Sequence, residues 1–262
     1  AEEFLASWIT GRGIEPGELT VGSKWGYRYT AGWSARAAVH EVKDHSLGAL
    51  REQLAESRRH LGAHLRLYQI HSATLESGVL DDAGVLDELA RLRDDGLLVG
   101  LSTSGPRQAD TISHALAVER GGTRLFGCVQ ATWNLLESSA GAALARAHAA
   151  GVGFIMKEAL ANGHLAGRAD GRVDASPYAD AQRVLRHEAQ RLGVGADALA
   201  LAAALAQPWA DCVLSGAVRV EHVEANLAAL RIAVPADVIG RLRALAVSPV
   251  EYWAHRAASV WT

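Results

Sequence analysis

The 262-residue sequence lacks most of the signals that would set it apart from compact enzymes. It has two cysteines, Cys128 and Cys212, both inside predicted strands. They are read as separate buried core thiols rather than a disulfide or a metal pair, and a reducing, cytoplasmic setting follows as the default. The longest unbroken apolar run extends only from Ala198 to Ala206, far short of the roughly 20 residues of a spanning helix. The opening AEEFLASWITG is acidic and carries no basic n-region, so it is not read as a signal peptide. Positive charge is neither in excess nor striped, and the formal net charge is −3. That argues against nucleic acid or an anionic membrane as the partner.

Metal signatures are missing too. His187-Glu188 begins like a metalloprotease helix, but Arg191 stands where the second histidine belongs. His60, His64 and His71 do not have metal-ligand spacing, and no metal is expected. No Pro/Gly/Ser-rich linker or change of composition divides the chain, so residues 1–262 are read as one domain.

What is present is a chain that is 49% hydrophobic, with short β-rich runs alternating with longer helical patterns. The runs are 18-ELTVGSKW, 65-LRLYQIH, 97-LLVGLS, 124-RLFGCVQ, 152-VGFIMK and 211-DCVLSG. Most are continuous hydrophobics, as strands covered on both faces should be. Between them fall helix-period sets such as Leu47, Leu50, Leu54 and Leu61, then Val85, Leu86, Leu89 and Leu92. Ser46 and Pro106 mark helix starts, and Gly96 and Gly151 mark helix ends. Such alternation predicts parallel pairing through right-handed crossovers. No G-x-G-x-x-G opens the first unit and there is no P-loop, which argues against a doubly wound nucleotide fold.

In a (β/α) barrel, functional side chains gather at the carboxyl ends of the strands. The six runs end in Lys24, His71, Ser102-Thr103, Gln130, Lys157 and Ser215-Gly216, a polar group in every case. Taken singly, each has a plainer reading. Lys24 would be a solvated strand terminus, His71 a satisfied buried histidine, Ser102 and Thr103 helix caps, and Gln130 a partner for loose backbone groups.

Together the motifs resemble the aldo-keto reductases. VGSKWGY is similar to that family's third-strand lysine segment, and LYQIH to its fourth-strand histidine. GLSTS resembles the G-x-S-N motif, VQATWNLLE the Q-x-x-Y-N segment, and FIMKEALANGHLAG the P-L-x-x-G-x-L-x-G run. VLSGAVRVEHVEANLAAL resembles the eighth-strand segment that holds the adenosine 2′-phosphate. The resemblance implies a (β/α)8 TIM barrel with about six of its eight β/α units in this sequence, the first two strands being expected upstream.

It also implies an NADPH-dependent oxidoreductase that reduces an aldehyde, ketone or sugar carbonyl to the alcohol, reversibly. Lys24 and His71 would be catalytic. Lys24 would lower the pKa of a proton-donating tyrosine, and His71 would orient and polarise the carbonyl. Ser102, Thr103 and Gln130 would hold the nicotinamide carboxamide. Ser215, Gly216, Ala217, Arg219, His222 and Asn226 would line the adenosine-phosphate end, with Lys157 and Leu160 also facing the cofactor.

Several positions depart from the pattern. Thr103 replaces an asparagine, Lys157 an aromatic that stacks on the nicotinamide, and Ala225 a glutamate. The family's second-strand aspartate and tyrosine have no counterpart here; Tyr27 and Tyr29 are the alternative acids. Two rival readings stay open. Lys157 would serve as the Schiff-base lysine of an aldolase-like barrel, or the chain would be an NADPH-binding sensor or partner subunit without turnover. The loop 25-WGYRYTAGW would shape the substrate face. The tail from Trp253 to Thr262 would pack over the barrel exterior, with a share in the substrate pocket as the alternative. The oligomeric state is open.

Overall fold

The computed structural model describes residues 1–32, 39–166 and 177–259. The six apolar runs form six strands: β1 (Val21–Trp25), β2 (Leu65–Ala73), β3 (Leu98–Thr103), β4 (Cys128–Thr132), β5 (Gly153–Lys157) and β6 (Cys212–Val213). They lie in one sheet in chain order, β1 to β6. The pairs β1–β2, β2–β3 and β5–β6 are parallel. Order in the sheet that follows order in the chain is the pattern of a barrel. A doubly wound sheet would reverse direction at a switch point. The fold class is therefore the one expected, α/β of the (β/α) barrel type, with six β/α units.

The chain divides into two compact units. The first comprises Ala1–Ser104 with Asp110–Val129, the second Gly105–Ala109 with Gln130–Thr262. In the first, α1 (Glu2–Arg12) precedes β1, α2 (Leu47–Leu61) joins β1 to β2, and α3 (Ala83–Asp94) joins β2 to β3. Helix α2 starts where Ser46 accepts a hydrogen bond from the Ala49 N–H at 3.2 Å. The same device opens α3, with Asp82 accepting from Val85 at 3.0 Å. Leu50 and Leu54 of α2 and Val85, Leu86 and Leu89 of α3 are buried with Tyr68, Ile70 and Leu101 of the strands. These are the expected helix faces. Strands β3 and β4 approach so closely at Gly100 that a Cβ there would lie 2.7 Å from the Cys128 carbonyl oxygen.

A two-stranded ribbon, Tyr27–Tyr29 against Glu41–Lys43, follows β1. The aromatic loop expected over residues 25–33 is thus partly a hairpin, and Trp33 lies outside the described residues. Helix α4 (Gln108–Ala117) follows β3, with Pro106 in the turn just before it.

The second unit carries α5 (Gly141–Ala149), α6 (Ala179–Leu192), α7 (Ala196–Leu205), α8 (Val220–Ala228), α9 (Ala236–Arg243) and α10 (Pro249–Ala258). Leu136, Leu165, Leu185, Leu199, Val238, Leu242, Tyr252 and Trp253 form its core. Tyr252 and Trp253 of the C-terminal helix are buried in this core, and residues 260–262 of the expected tail lie outside the described residues. The Gln108 amide stands in for a strand neighbour. Its nitrogen donates to the Thr132 carbonyl at 2.9 Å, and its oxygen accepts from the Thr132 N–H at 3.2 Å.

One cysteine corrects the sequence reading. Cys128 is buried, but Cys212 is exposed. Strand β6 is only two residues long and ends the sheet order, so its side chains have less cover than a central strand provides.

Candidate functional site

In the first unit, parallel registry pairs Lys24 with Gln69 and Trp25 with Ile70. His71 follows Gln69 by two residues, where the registry of β2 with β3 shifts. Lys24 is half-buried, and that burial holds its ammonium pKa below the ordinary lysine value. The His71 ring meets Tyr27 edge-on, with centroids 4.8 Å apart. Ser102 and Thr103 end β3 and are fully buried. Ser102 Oγ accepts a hydrogen bond from the Ser72 N–H at 2.8 Å. Its own hydroxyl proton is left for a further acceptor.

In the second unit, Gln130 is buried on β4. Lys157, Leu160, Ser215, Gly216, Ala217, His222 and Asn226 line one cavity of about 560 Å³. That is seven of the residues expected at the cofactor. Asn226 Nδ2 donates to Ser215 Oγ at 2.7 Å, joining α8 to the loop after β6. Arg219 sits at the N-cap of α8 and is exposed; it is not among the lining residues. No side chain caps that helix, which leaves its N-terminal N–H groups to an anion. The donor set fits a phosphate-bearing nucleotide: an uncapped helix start, a hydroxyl, an amide, and Gly216, where nothing crowds the backbone within 4 Å.

The sequence reading missed a network at the end of β5. Glu158, at φ +58°, lines the same cavity. Its Oε1 accepts two hydrogen bonds from Arg256, at 2.9 and 2.6 Å. Oε2 accepts from Thr132 at 3.3 Å and Tyr252 at 3.4 Å. Asn134 donates to the Glu158 carbonyl at 3.0 Å and to the Tyr252 hydroxyl at 3.1 Å. Burial pushes the Glu158 carboxyl up, but the Arg256 hydrogen bonds and the charges of Lys157 and Arg256 outweigh it, and its pKa lies below the usual value. Lys157 Nζ donates to Thr132 Oγ1 at 2.8 Å, faces Glu158 at 3.6 Å and lies 5.5 Å from the Trp253 ring centroid. Only the family-like spacing around Lys157 and Asn134 hinted at this cluster; nothing local marked Arg256.

Among the described residues no group of three or more His, Cys, Asp or Glu side chains is placed to hold a metal. Among them, too, no helix is long and apolar enough to cross a membrane.

The model of the Aldo/keto reductase family matches residues 1–247. The holo form of aldo-keto reductase AKR11C1 from Bacillus halodurans has a similar structure. Its TM-score is 0.73 at 21% identity, over 95% of this chain and 79% of that one. Glycerol dehydrogenase AKR11B4 from Gluconobacter oxydans is similar at a TM-score of 0.68 and 19% identity, over 93% of this chain and 76% of that one. At these identities the likeness concerns the fold. A search of curated proteins found no match.

Proposed function

The chain belongs to the aldo/keto reductase family of nicotinamide-dependent oxidoreductases, and from that premise we propose that it reduces an aldehyde, ketone or sugar carbonyl with NADPH, reversibly. The observation that carries this reading is the cavity of the second unit, where seven residues expected at the cofactor line one space of about 560 Å³. When bound there, the cofactor supplies a hydride to the carbonyl carbon.

The chain's own groups would do the rest. The N–H groups at the start of α8 would hold a phosphate, with Ser215, His222 and Asn226 around it. Arg219, exposed at the same helix start, would favour the extra phosphate of NADPH over NADH. Each of Ser102, Thr103 and Gln130 is a candidate to hold the carboxamide. Lys24 would contribute positive charge from a half-buried position, where it acts more strongly than in bulk water. His71 would hydrogen-bond and orient the carbonyl oxygen. These are electrostatic and orienting roles. The tyrosine that donates the proton in the family has no counterpart in this sequence; Tyr27 or Tyr29 would be the alternative acid that protonates the carbonyl oxygen, and neither Lys24 nor His71 is assigned that step.

The test is oxidation of NADPH, followed by loss of reduced-nicotinamide absorbance across a panel of aldehydes, ketones and sugars. Turnover should fall about a hundredfold or more in Lys24→Met, with NADPH affinity kept. A chain that binds NADPH and reduces nothing on the panel would sink the reductase reading in favour of a cofactor-binding subunit.

A further inference from the structure

Strand β2 does not run straight through His71. Its registry with β3 shifts between Ile70 and Ala73, and Ser72 sits at φ +53°, a left-handed conformation that disfavours any residue with a Cβ. Such a bulge re-aims a side chain and takes backbone groups out of the ladder. Three of those groups are met by side chains. The Ser72 N–H donates to Ser102 Oγ at 2.8 Å. The Ser72 carbonyl accepts from Lys43 Nζ at 2.9 Å. The His71 carbonyl accepts from His45 Nε2 at 2.8 Å.

His45 is itself tightly seated. Its ring lies edge-on to Trp25 with centroids 5.7 Å apart. Gly26, at φ +117°, passes so near that a Cβ would lie 2.5 Å from His45 Cδ2 and 2.7 Å from Nε2. A carbonyl only accepts, so Nε2 carries the hydrogen. The other nitrogen, Nδ1, is buried without a hydrogen-bond partner. Burial, helped by the nearby Lys43 charge, holds the His45 pKa below its ordinary value against the opposing pull of the His71 carbonyl and Asp44. The ring is thus a neutral, single-tautomer donor with no role in the reaction assigned above.

We propose that His45 is a positioning residue for His71: by holding the His71 carbonyl from Nε2, it fixes the bulge that sets the direction of the reacting imidazole. This rests on the reading of His71 as the group that orients the substrate carbonyl. Lys43 grips the next carbonyl from the same segment, and Ser102 holds the intervening N–H. The His71–Ser72 peptide is therefore held by His45 and by Ser102 of β3, and the next peptide by Lys43 of the hairpin.

The experiment compares the wild-type chain with His45→Leu, His45→Gln and Lys43→Met. A glutamine amide reaches the position of Nε2 and keeps a donor; leucine fills the space without one. His45→Leu should lower kcat about tenfold or more, because small misplacements of a reacting group are costly, while NADPH affinity stays at the wild-type value. His45→Gln should return kcat to within about threefold of wild type, and Lys43→Met should show a smaller loss in the same direction. The His71 ring resonances, assigned by their loss in His71→Asn, should shift in His45→Leu and return in His45→Gln.

A folded His45→Leu with wild-type kcat and unshifted His71 resonances overturns the proposal. So does His45→Gln impaired as deeply as His45→Leu, which would make the residue mere packing. If the wild type reduces no carbonyl, the reductase reading falls. The His71 resonances then decide the positioning role, a shift sustaining it and no shift overturning it. Should His45→Leu fail to fold, Lys43→Met decides in its place. Unshifted His71 resonances in that variant refute the shared hold on the bulge, and a shift supports it.

Discussion

Replacing Arg256 with methionine keeps a long apolar side chain on α10 and removes both hydrogen bonds to Glu158 Oε1, at 2.9 and 2.6 Å. The Glu158 side chain is only 12% exposed, so it cannot recover its solvation from water. Hydrogen bonds to a charged group contribute about 1.5–3 kcal/mol each way one breaks them. Arg256 is 39% exposed, and solvent screening at its end reduces that figure. Lys157 still faces the carboxylate at 3.6 Å and offsets part of the rest. The net loss should be about 1–2 kcal/mol, or a fall in Tm of roughly 3–6 °C for a chain of this size.

The pH dependence makes the test specific. In the wild type the Glu158 pKa is depressed, so its contribution to stability is fully present above the unfolded carboxyl value of about 4.3 and is lost as pH falls through the folded value. Without Arg256, burial gains weight and pushes that pKa back up. Thermal unfolding of both proteins should therefore show the Tm gap open at about pH 7 and narrowed at about pH 4. A gap under about 1 °C at neutral pH, or one that does not change with pH, would refute this reasoning. An equal loss from Arg256→Met in a Glu158→Gln background would do the same, since the two residues would then not be coupled.

Two further expectations follow from close contacts and exposed charge. Gly100→Ala would set a Cβ 2.7 Å from the Cys128 carbonyl oxygen, a backbone atom that cannot rotate away. Chemical denaturation should report a loss of about 1–3 kcal/mol, and an unchanged midpoint would mean that the strands can part freely. Arg219→Ala should raise the NADPH dissociation constant about fivefold, roughly 1 kcal/mol, and leave that of NADH alone. Equal weakening of both cofactors in a fluorescence titration would remove Arg219 from phosphate selection.

The elements of the fold that could be read from sequence were those written locally. Each strand appears as a short, mostly apolar run with a polar residue near its carboxyl end, and Lys24, His71 and Ser102 stand at such ends as candidates. The caps at Ser46 and Asp82 are equally local, because donor and acceptor sit three residues apart. What stayed hidden is long-range. Glu158 and Arg256 are 98 residues apart, and Arg256 on its helix looks like any solvated arginine. The hold of His45 on the His71 carbonyl spans 26 residues and passes through a backbone group, which has no side-chain signature. Cys212 was misjudged for a related reason, since a strand's sequence does not say how much of its surface its neighbours cover.

Lys157 is where these two kinds of information meet. Its place at the end of an apolar strand left two readings open, a wall of the cofactor site or an amine nucleophile. An amine nucleophile must present a free electron pair, which apolar burial away from carboxylates encourages. Lys157 has instead a hydroxyl at 2.8 Å, a carboxylate at 3.6 Å and the Trp253 ring at 5.5 Å. Glu158 is in turn fixed by Arg256 and Tyr252 from the far end of the chain, so the pair is held from several directions rather than poised to separate. Lys157 and Glu158 both line the cavity that carries Ser215, His222 and Asn226. A partnered cation in that wall suits an anionic dinucleotide better than covalent attack on a carbonyl carbon, and this weighs the site toward hydride transfer and away from Schiff-base chemistry.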